Sequence, residues 1–276
     1  MISEIIPIVT PTHKETLSEI EIRRLNLTLK SNPKSPHIFV IPNGMSCTNL
    51  LSVFPDSLIV SKPSYYFTSV NAYNSLMLSS EFYRDYQSYD YILLAQTDAF
   101  VVRDIASLPN LGFPYIGASW NPSFILTPIG WRIFVNRKFP RSIKSHELQG
   151  GNGGLSLRNI TVMLDVLHRG AELRESRSFM QENIRRINED LAISYLCNIF
   201  GYKMPDRDTL DKIFVETNSS ETYAGDMVFG FHGLNKHNPI LEEELLLYYE
   251  KVNNLLSSVD RSISRLVTAL YHRLET

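Results

Sequence analysis

Cysteine, charge of one sign and long apolar runs are all scarce in this chain, and each scarcity removes a class of protein. The 276 residues include 2 cysteines, Cys47 and Cys197. They lie far apart without the paired spacing of a disulfide framework or a structural zinc site, which fits a reducing compartment. Lys and Arg number 27 against 29 Asp and Glu, a formal net charge of -2. No global field therefore draws the chain to nucleic acid or to anionic lipid, and no nucleic-acid partner is expected. The start, Met1-Ile2-Ser3-Glu4-Ile5-Ile6-Pro7, lacks the basic opening and apolar core of a signal peptide. No later segment approaches the roughly 18 apolar residues that span a bilayer. The most apolar stretch, Tyr89 to Val102, carries Asp90, Gln96 and Asp98. The expectation is a cytoplasmic protein without a transmembrane segment, meeting any lipid-linked acceptor from the inner face of the membrane.

Apolar residues at 43% and charged residues at 20% are ordinary for a chain with a real core. Ile5 to Val9 reads as a buried strand stopped by Thr10-Pro11-Thr12, and Leu17 to Leu29 as a helix opened by Thr16. His37 to Ile41 and Leu58 to Val60 read as further strands. Ser69 to Tyr86 reads as one helix, and Tyr91 to Leu94 as a strand ending at Gln96-Thr97-Asp98. Strands and helices in alternation predict an α/β domain with a mixed, mostly parallel sheet flanked by helices. Ligands of such sheets bind beyond the carboxyl ends of the strands. That places Thr10 to Thr12 and Gln96 to Asp98 on one edge. Residues 1–239 are expected to form this domain, and 240–276 an amphipathic helical tail. The tail's stripe, Leu245, Tyr248, Val252, Leu255 and Val259, would serve packing, self-association into a homo-oligomer or membrane contact.

Three clusters carry chemistry. Asp98, delivered past the end of an apolar strand, offers hard oxygen ligands to Mg²⁺ or Mn²⁺ bridging a diphosphate; taken alone it reads better as a turn cap. Gly150-Gly151-Asn152-Gly153-Gly154 permits positive φ and close approach to a ligand, but lacks P-loop or dinucleotide spacing. Glu189-Asp190 sits in the first turn of a helix capped by Asn188, where the dipole predicts a low pKa and a carboxylate charged at neutral pH. Such a group serves as a general base or as ordinary first-turn decoration. His232 lies in FGFHGLN among apolar residues and glycines. The stretch Arg132 to Lys144 carries five basic residues and no acid, and reads as a solvated loop or a lid over phosphate.

In this order the segments YDYILLAQTDAFVVRD, FPYIGASW, GGNGGLSLRN, NEDLAISYL and VFGFHG resemble the DUF5672 family of GT-A-like glycosyltransferase fold. FTSVNAYNSLMLSSEFYRDY upstream fits the same pattern. More distantly, the order is similar to that of β-1,4-galactosyltransferases. The resemblance implies Asp98 and His232 as ligands of Mn²⁺ or Mg²⁺, Asp190 as the base and Glu189 as an acceptor contact. It implies Thr10, Pro11, Thr12 and Gln96 along a nucleotide-sugar donor. Trp120, Gly151, Asn152, Gly153 and Gly154 would lie near the substrate, with Trp120 either stacking on a sugar or, as a tryptophan after a strand more often is, simply packed. Gln96 stands where an aspartate would begin the metal motif, and a glutamine brings no charge. The implied activity is inverting transfer to a glycan or lipid-linked glycan, in bacterial polysaccharide assembly. The competing class is a non-catalytic nucleotide- or glycan-binding module. A nucleotidyltransferase is weaker, since Thr10-Pro11-Thr12-His13-Lys14 lacks the expected glycines.

Overall fold

The computed structural model describes residues 5–108, 112–120, 123–127, 130–134, 146–176, 188–216, 228–236 and 238–255. The run YILLA is strand β4 (Tyr91–Ala95), buried at every position. Its side chains alternate between two cores, as the period of a strand requires. Ile92 and Leu94 join Val9, Val40 and Tyr115 on one face; Tyr91, Leu93 and Ala95 join Ile8, Leu155 and Phe214 on the other. A strand covered on both faces needs no polar alternation, so it reads as one apolar run.

Around β4 a six-stranded sheet is ordered β3 (Leu58–Lys62), β2 (His37–Pro42), β1 (Ile8–Pro11), β4, β10 (Asn152–Asn159), β6 (Tyr115–Ala118). The pairs β1/β2, β1/β4 and β2/β3 are parallel, while β10 runs antiparallel to both neighbours. The sheet is thus mixed and mostly parallel, with one reversed strand. From β1 the chain builds outward through β2 and β3, then returns to the other side of β1 as β4. The carboxyl ends of β1 and β4 therefore flank a switch point, where a crevice opens.

Helices cover both faces. The first, α1 (Glu19–Ser31), begins later than Thr16 because Glu21 takes the Ser18 N–H at 2.9 Å and the Ser18 hydroxyl at 2.8 Å. After α2 (Thr48–Val53), the helix expected over Ser69 to Tyr86 is two, α3 (Val70–Met77) and α4 (Ser80–Arg84). Ser79 divides them, since its hydroxyl accepts the Glu81 N–H at 3.2 Å and starts a new helix. Further along come α5 (Ile160–Ser176), α6 (Glu189–Ile199) and α7 (Arg207–Ile213).

A second sheet, β11 (Phe214–Glu216), β12 (Gly230–His232) and β5 (Ala99–Val101), stands beside the end of β4. A third is antiparallel, with β7 (Ser123–Thr127) between β8 (Gly130–Phe134) and β9 (His146–Leu148). The basic stretch from Arg132 starts in β8, and 135–145 lie outside the described residues. The tail begins with helix α8 (residues 239–255), and 256–276 lie outside the described residues. Leu246 of α8 is buried against Leu27, Phe100 and Phe231. Arg24 of α1 meets the Glu242 carboxylate with two N–H groups, at 3.0 and 2.8 Å. Arg23 pairs with Glu243 and Glu250 beside it. Among the described residues no helix is long and apolar enough to cross a membrane.

Candidate active site

The Gln96-Thr97-Asp98 turn, which joins β4 to β5, is held from every side. The Gln96 N–H donates to the Gly154 carbonyl at 2.8 Å and the Asp98 carbonyl accepts from the Gly233 N–H at 3.1 Å. The Thr97 hydroxyl donates to Glu21 at 2.6 Å, and its carbonyl accepts from Arg24 at 3.2 Å. Burial works against a charge on Glu21, but hydrogen bonds from Lys14, Thr97 and Ser18 outweigh it and lower the carboxyl to about 2. Sheet pairing brings in the next groups: β12 sets His232 opposite Ala99, and β11 sets Glu216 beside His232. Nε2 of His232 is 3.3 Å from Asp98, Nδ1 is 3.4 Å from Glu216, and Lys236 Nζ is 2.8 Å from the other Asp98 oxygen.

Burial disfavours a charged imidazole, yet Asp98 and Glu216 outweigh it and raise His232 to about 9. Burial likewise opposes charge on Asp98, and His232 with Lys236 holds that carboxyl well below the usual range. Neither imidazole contact has hydrogen-bond geometry, so both ring nitrogens are buried without a hydrogen-bond partner.

The glycine cluster is not a loop throughout. Gly150 and Gly151 have φ of 138° and 83°, the left-handed region that favours glycine. Gly153 and Gly154 instead lie in β10 and are needed for closeness. A methyl on Gly153 would collide with Oε1 of Glu189, and one on Gly154 would collide with Nε2 of His232 and press on Oε1 of Gln96. Between them Asn152 accepts the Gly154 N–H at 2.7 Å and donates to Glu216 at 3.0 Å.

The Gly154 Cα thus has Gln96 Oε1 and His232 Nε2 over it, with Asp98 beside the histidine. Among the described residues no three of His, Cys, Asp and Glu gather as a metal site. Counting the glutamine oxygen, Gln96, Asp98 and His232 offer the donor types that a divalent ion takes, with the imidazole at present paired to Asp98 and Glu216. His232 would have to release its proton to bind one.

Glu189 and Asp190 begin α6, where Asn188 is the N-cap but turns its side chain to Asn74, which donates to it at 3.3 Å. Beneath them Arg158 is fully buried. It donates to Tyr83 at 2.8 Å, Ser156 at 2.9 Å and the Gly153 carbonyl at 3.0 Å, and reaches Glu189 at 3.4 Å. The low pKa expected for Asp190 is not found. Burial first, then the neighbouring Glu189, raises it to about 7, against N–H donors from Leu191 and Trp120. A helix terminus stabilises a carboxylate that water also reaches; here burial wins.

One cleft of about 870 Å³ collects most of these groups. Pro11, Thr12, Gln96, Asp98, Asn152, Gly153, Gly154, Glu189, Asp190 and His232 all line it. Thr10 is buried with its hydroxyl on His37 at 3.1 Å, and Gly151 lies behind the wall with its carbonyl on the Tyr115 hydroxyl at 3.1 Å. Trp120 is buried and does not face the cleft; its indole N–H donates to Asp190 at 3.3 Å. Sequence reasoning missed Glu21, Arg24, Tyr73, Arg158, Glu216 and Lys236. For Arg158 a signal existed: a charge two residues from Ser156, on one face of a strand whose other positions are Leu155 and Leu157.

The family described as "Protein of unknown function (DUF5672)" matches residues 57–232. The chain belongs to the DUF5672 family. Curated proteins offer no match to it. Among solved structures, an active-site mutant of LgtC shares 14% identity over 82% of this chain and 86% of its own, with a TM-score of 0.50. The galactosyltransferase LgtC with donor and acceptor sugar analogues is similar at 13% identity, the same two coverages and a TM-score of 0.47. Mouse xyloside xylosyltransferase 1 shares 11% over 83% of this chain and 97% of its own, with a TM-score of 0.45. The first likeness establishes the fold: this DUF5672 chain is a GT-A-like α/β domain, shaped as glycosyltransferases are.

Proposed function

We propose that this DUF5672 protein transfers a sugar, with inversion, from a nucleotide-diphosphate sugar to a glycan or lipid-linked glycan. The observation that carries the reading is convergence: Gln96, Asp98 and His232 share one cleft with Glu189 and Asp190, at the switch point between β1 and β4. Asp190, raised to about 7, suits a general base that must accept a proton near neutral pH. Thr12 and Lys14 would meet the nucleotide beyond β1, and Lys236 would meet the diphosphate. A divalent ion, Mn²⁺ or Mg²⁺, held by Asp98, His232 and Gln96, would supply Lewis-acid stabilisation of charge on the departing diphosphate. Arg158, itself held by the Gly153 carbonyl, fixes Glu189 beside the base.

A second reading is supported by the 2.8 Å pair between Lys236 and Asp98: ammonium and imidazolium groups, rather than a metal, neutralise the diphosphate. A thermal-shift panel of nucleoside diphosphates and nucleotide sugars, with and without Mn²⁺, on wild type and Asp98→Ala separates the readings. A ligand at about 100 times its Kd adds roughly 2.7 kcal/mol of stability. A metal-dependent shift lost in Asp98→Ala supports the first reading, and a shift indifferent to metal supports the second. No shift with any nucleotide would leave the non-catalytic glycan-binding module.

A further inference from the structure

The cleft is chemically divided. On the side of β1 and β12 it is lined by Lys14, Arg24 and Lys236 together with the carboxylates Glu21, Asp98 and Glu216, a mixture of both signs. The opposite side is built from the turn Ser64–Phe67 and the start of α3, with Phe67, Val70, Tyr73 and Asn74 facing Asn188, Glu189 and Asp190. Among the described residues no lysine or arginine lines this second side. Arg158 lies behind it, its guanidinium fully buried and shared among Ser156, Tyr83, Gly153 and Glu189.

At the rim Phe67 and Val70 line the cleft, with Thr68 and Ser69 between them, and Val70 is 69% exposed. Apolar and aromatic side chains left in water beside a polar cleft mark a surface that a ligand covers.

Taking Asp190 as the base of the transfer proposed above, we infer that this side is an acceptor subsite for an uncharged pyranose. The C–H face of the sugar ring lies on Phe67 and Val70, since an aromatic ring offers a large apolar face. Its hydroxyls find Asn74, Asn188 and the Glu189 carboxylate. In the transfer the acceptor oxygen forms a bond to the anomeric carbon and gives its proton to Asp190. The bond from that carbon to the diphosphate oxygen breaks, and the electron pair leaves with the diphosphate. A phosphate or uronate at this place would meet Glu189 and Asp190 at close range, while Arg158 is already engaged by Glu189 behind the wall and no lysine or arginine among the described residues lines this side; like charges reject such a partner.

The test uses methyl hexopyranosides, their 6-phosphates and the corresponding uronates as probes, in saturation-transfer NMR on wild type, Phe67→Ala and Val70→Lys. Val70 is exposed and Phe67 half-buried, so the variants are expected to fold. Wild type should favour the uncharged glycosides by about tenfold or more. Phe67→Ala should weaken them by about fivefold, and Val70→Lys should narrow the preference by admitting the 6-phosphates. Equal or tighter binding of 6-phosphates or uronates by wild type overturns the inference. Absence of glycoside binding, with the nucleotide-induced melting shift intact, overturns it alone and leaves the donor reading standing. Absence of any nucleotide response in wild type would remove the transferase reading and this inference with it.

Discussion

The indole N–H of Trp120 donates to Oδ2 of Asp190 at 3.3 Å, favouring the charged carboxylate that burial disfavours. Trp120→Phe keeps the ring and removes the donor, so Asp190 should titrate above its present value of about 7. The acidic limb of the pH–rate profile should then move up by roughly one pH unit. A limb that stays in place would separate Asp190 from the base role.

Asp190→Asn keeps the shape of the site and removes the proton acceptor. Nucleotide-induced melting shifts should persist, while transfer should fall by roughly 10²- to 10⁴-fold. Normal turnover in a transfer assay would assign the base elsewhere.

The same carboxyl bends stability with pH. An unfolded aspartate loses its proton near pH 3.9, whereas folded Asp190 keeps it to about 7. Between those values the folded state binds more protons, so this group's contribution falls as pH rises. The groups that shape its titration include Glu189 and Glu216. Glu21 acts in the opposite sense: lowered to about 2, it contributes stability that is lost as pH falls from about 4 through 2. Urea unfolding from pH 4 to about 7 should show a shallower decline, or a rise, in Asp190→Asn relative to wild type.

Gly154→Ala puts a methyl against His232 and Gln96. It should cost roughly 1–3 kcal/mol of stability and weaken any Mn²⁺-dependent nucleotide shift. The check is melting temperature with and without Mn²⁺; a variant with an unchanged metal response would remove His232 and Gln96 from the proposed ligand set.

Arg24 and Glu242 form a buried pair, with side chains only 3% and 4% exposed. Removing one partner, as in Glu242→Leu, should cost about 3–5 kcal/mol, because it strands the other charge. The double variant Arg24→Met with Glu242→Leu should lose less than the sum of the two single variants. Chemical denaturation of all four proteins closes the cycle.

Much of the sheet and the order of the motifs could be read along the chain, because both are local. A run such as Tyr91–Ala95 announces a doubly covered strand, and glycines beside Asn152 announce crowding. What could not be read depends on what other segments bring. Asp190 has acidic chemistry and a helix start in sequence, and only burial with Glu189 beside it, outweighing the Trp120 N–H, reverses its expected titration. Trp120 looked available for a sugar and is instead inside. Gly153 and Gly154 read as places of close approach to a ligand, and the groups that approach them are Glu189 and His232. Ser79 splits a helix whose apolar spacing runs straight through it.

The partners Arg24 and Glu242 are 218 residues apart in sequence, and Arg24 also carries the Thr97 carbonyl. During synthesis the guanidinium is made 218 residues before its neutralising carboxylate. Through that interval the Gln96–Asp98 turn lacks one of its supports, and α1 lacks its cover. Domains are made at roughly 5–20 residues per second, so the interval lasts on the order of ten seconds or more. Closure of so long a loop also places this contact among the slow, non-local steps of folding. The nascent chain should consequently expose Leu27, Phe100 and Phe231, which Leu246 buries in the finished fold, to chaperones until α8 arrives.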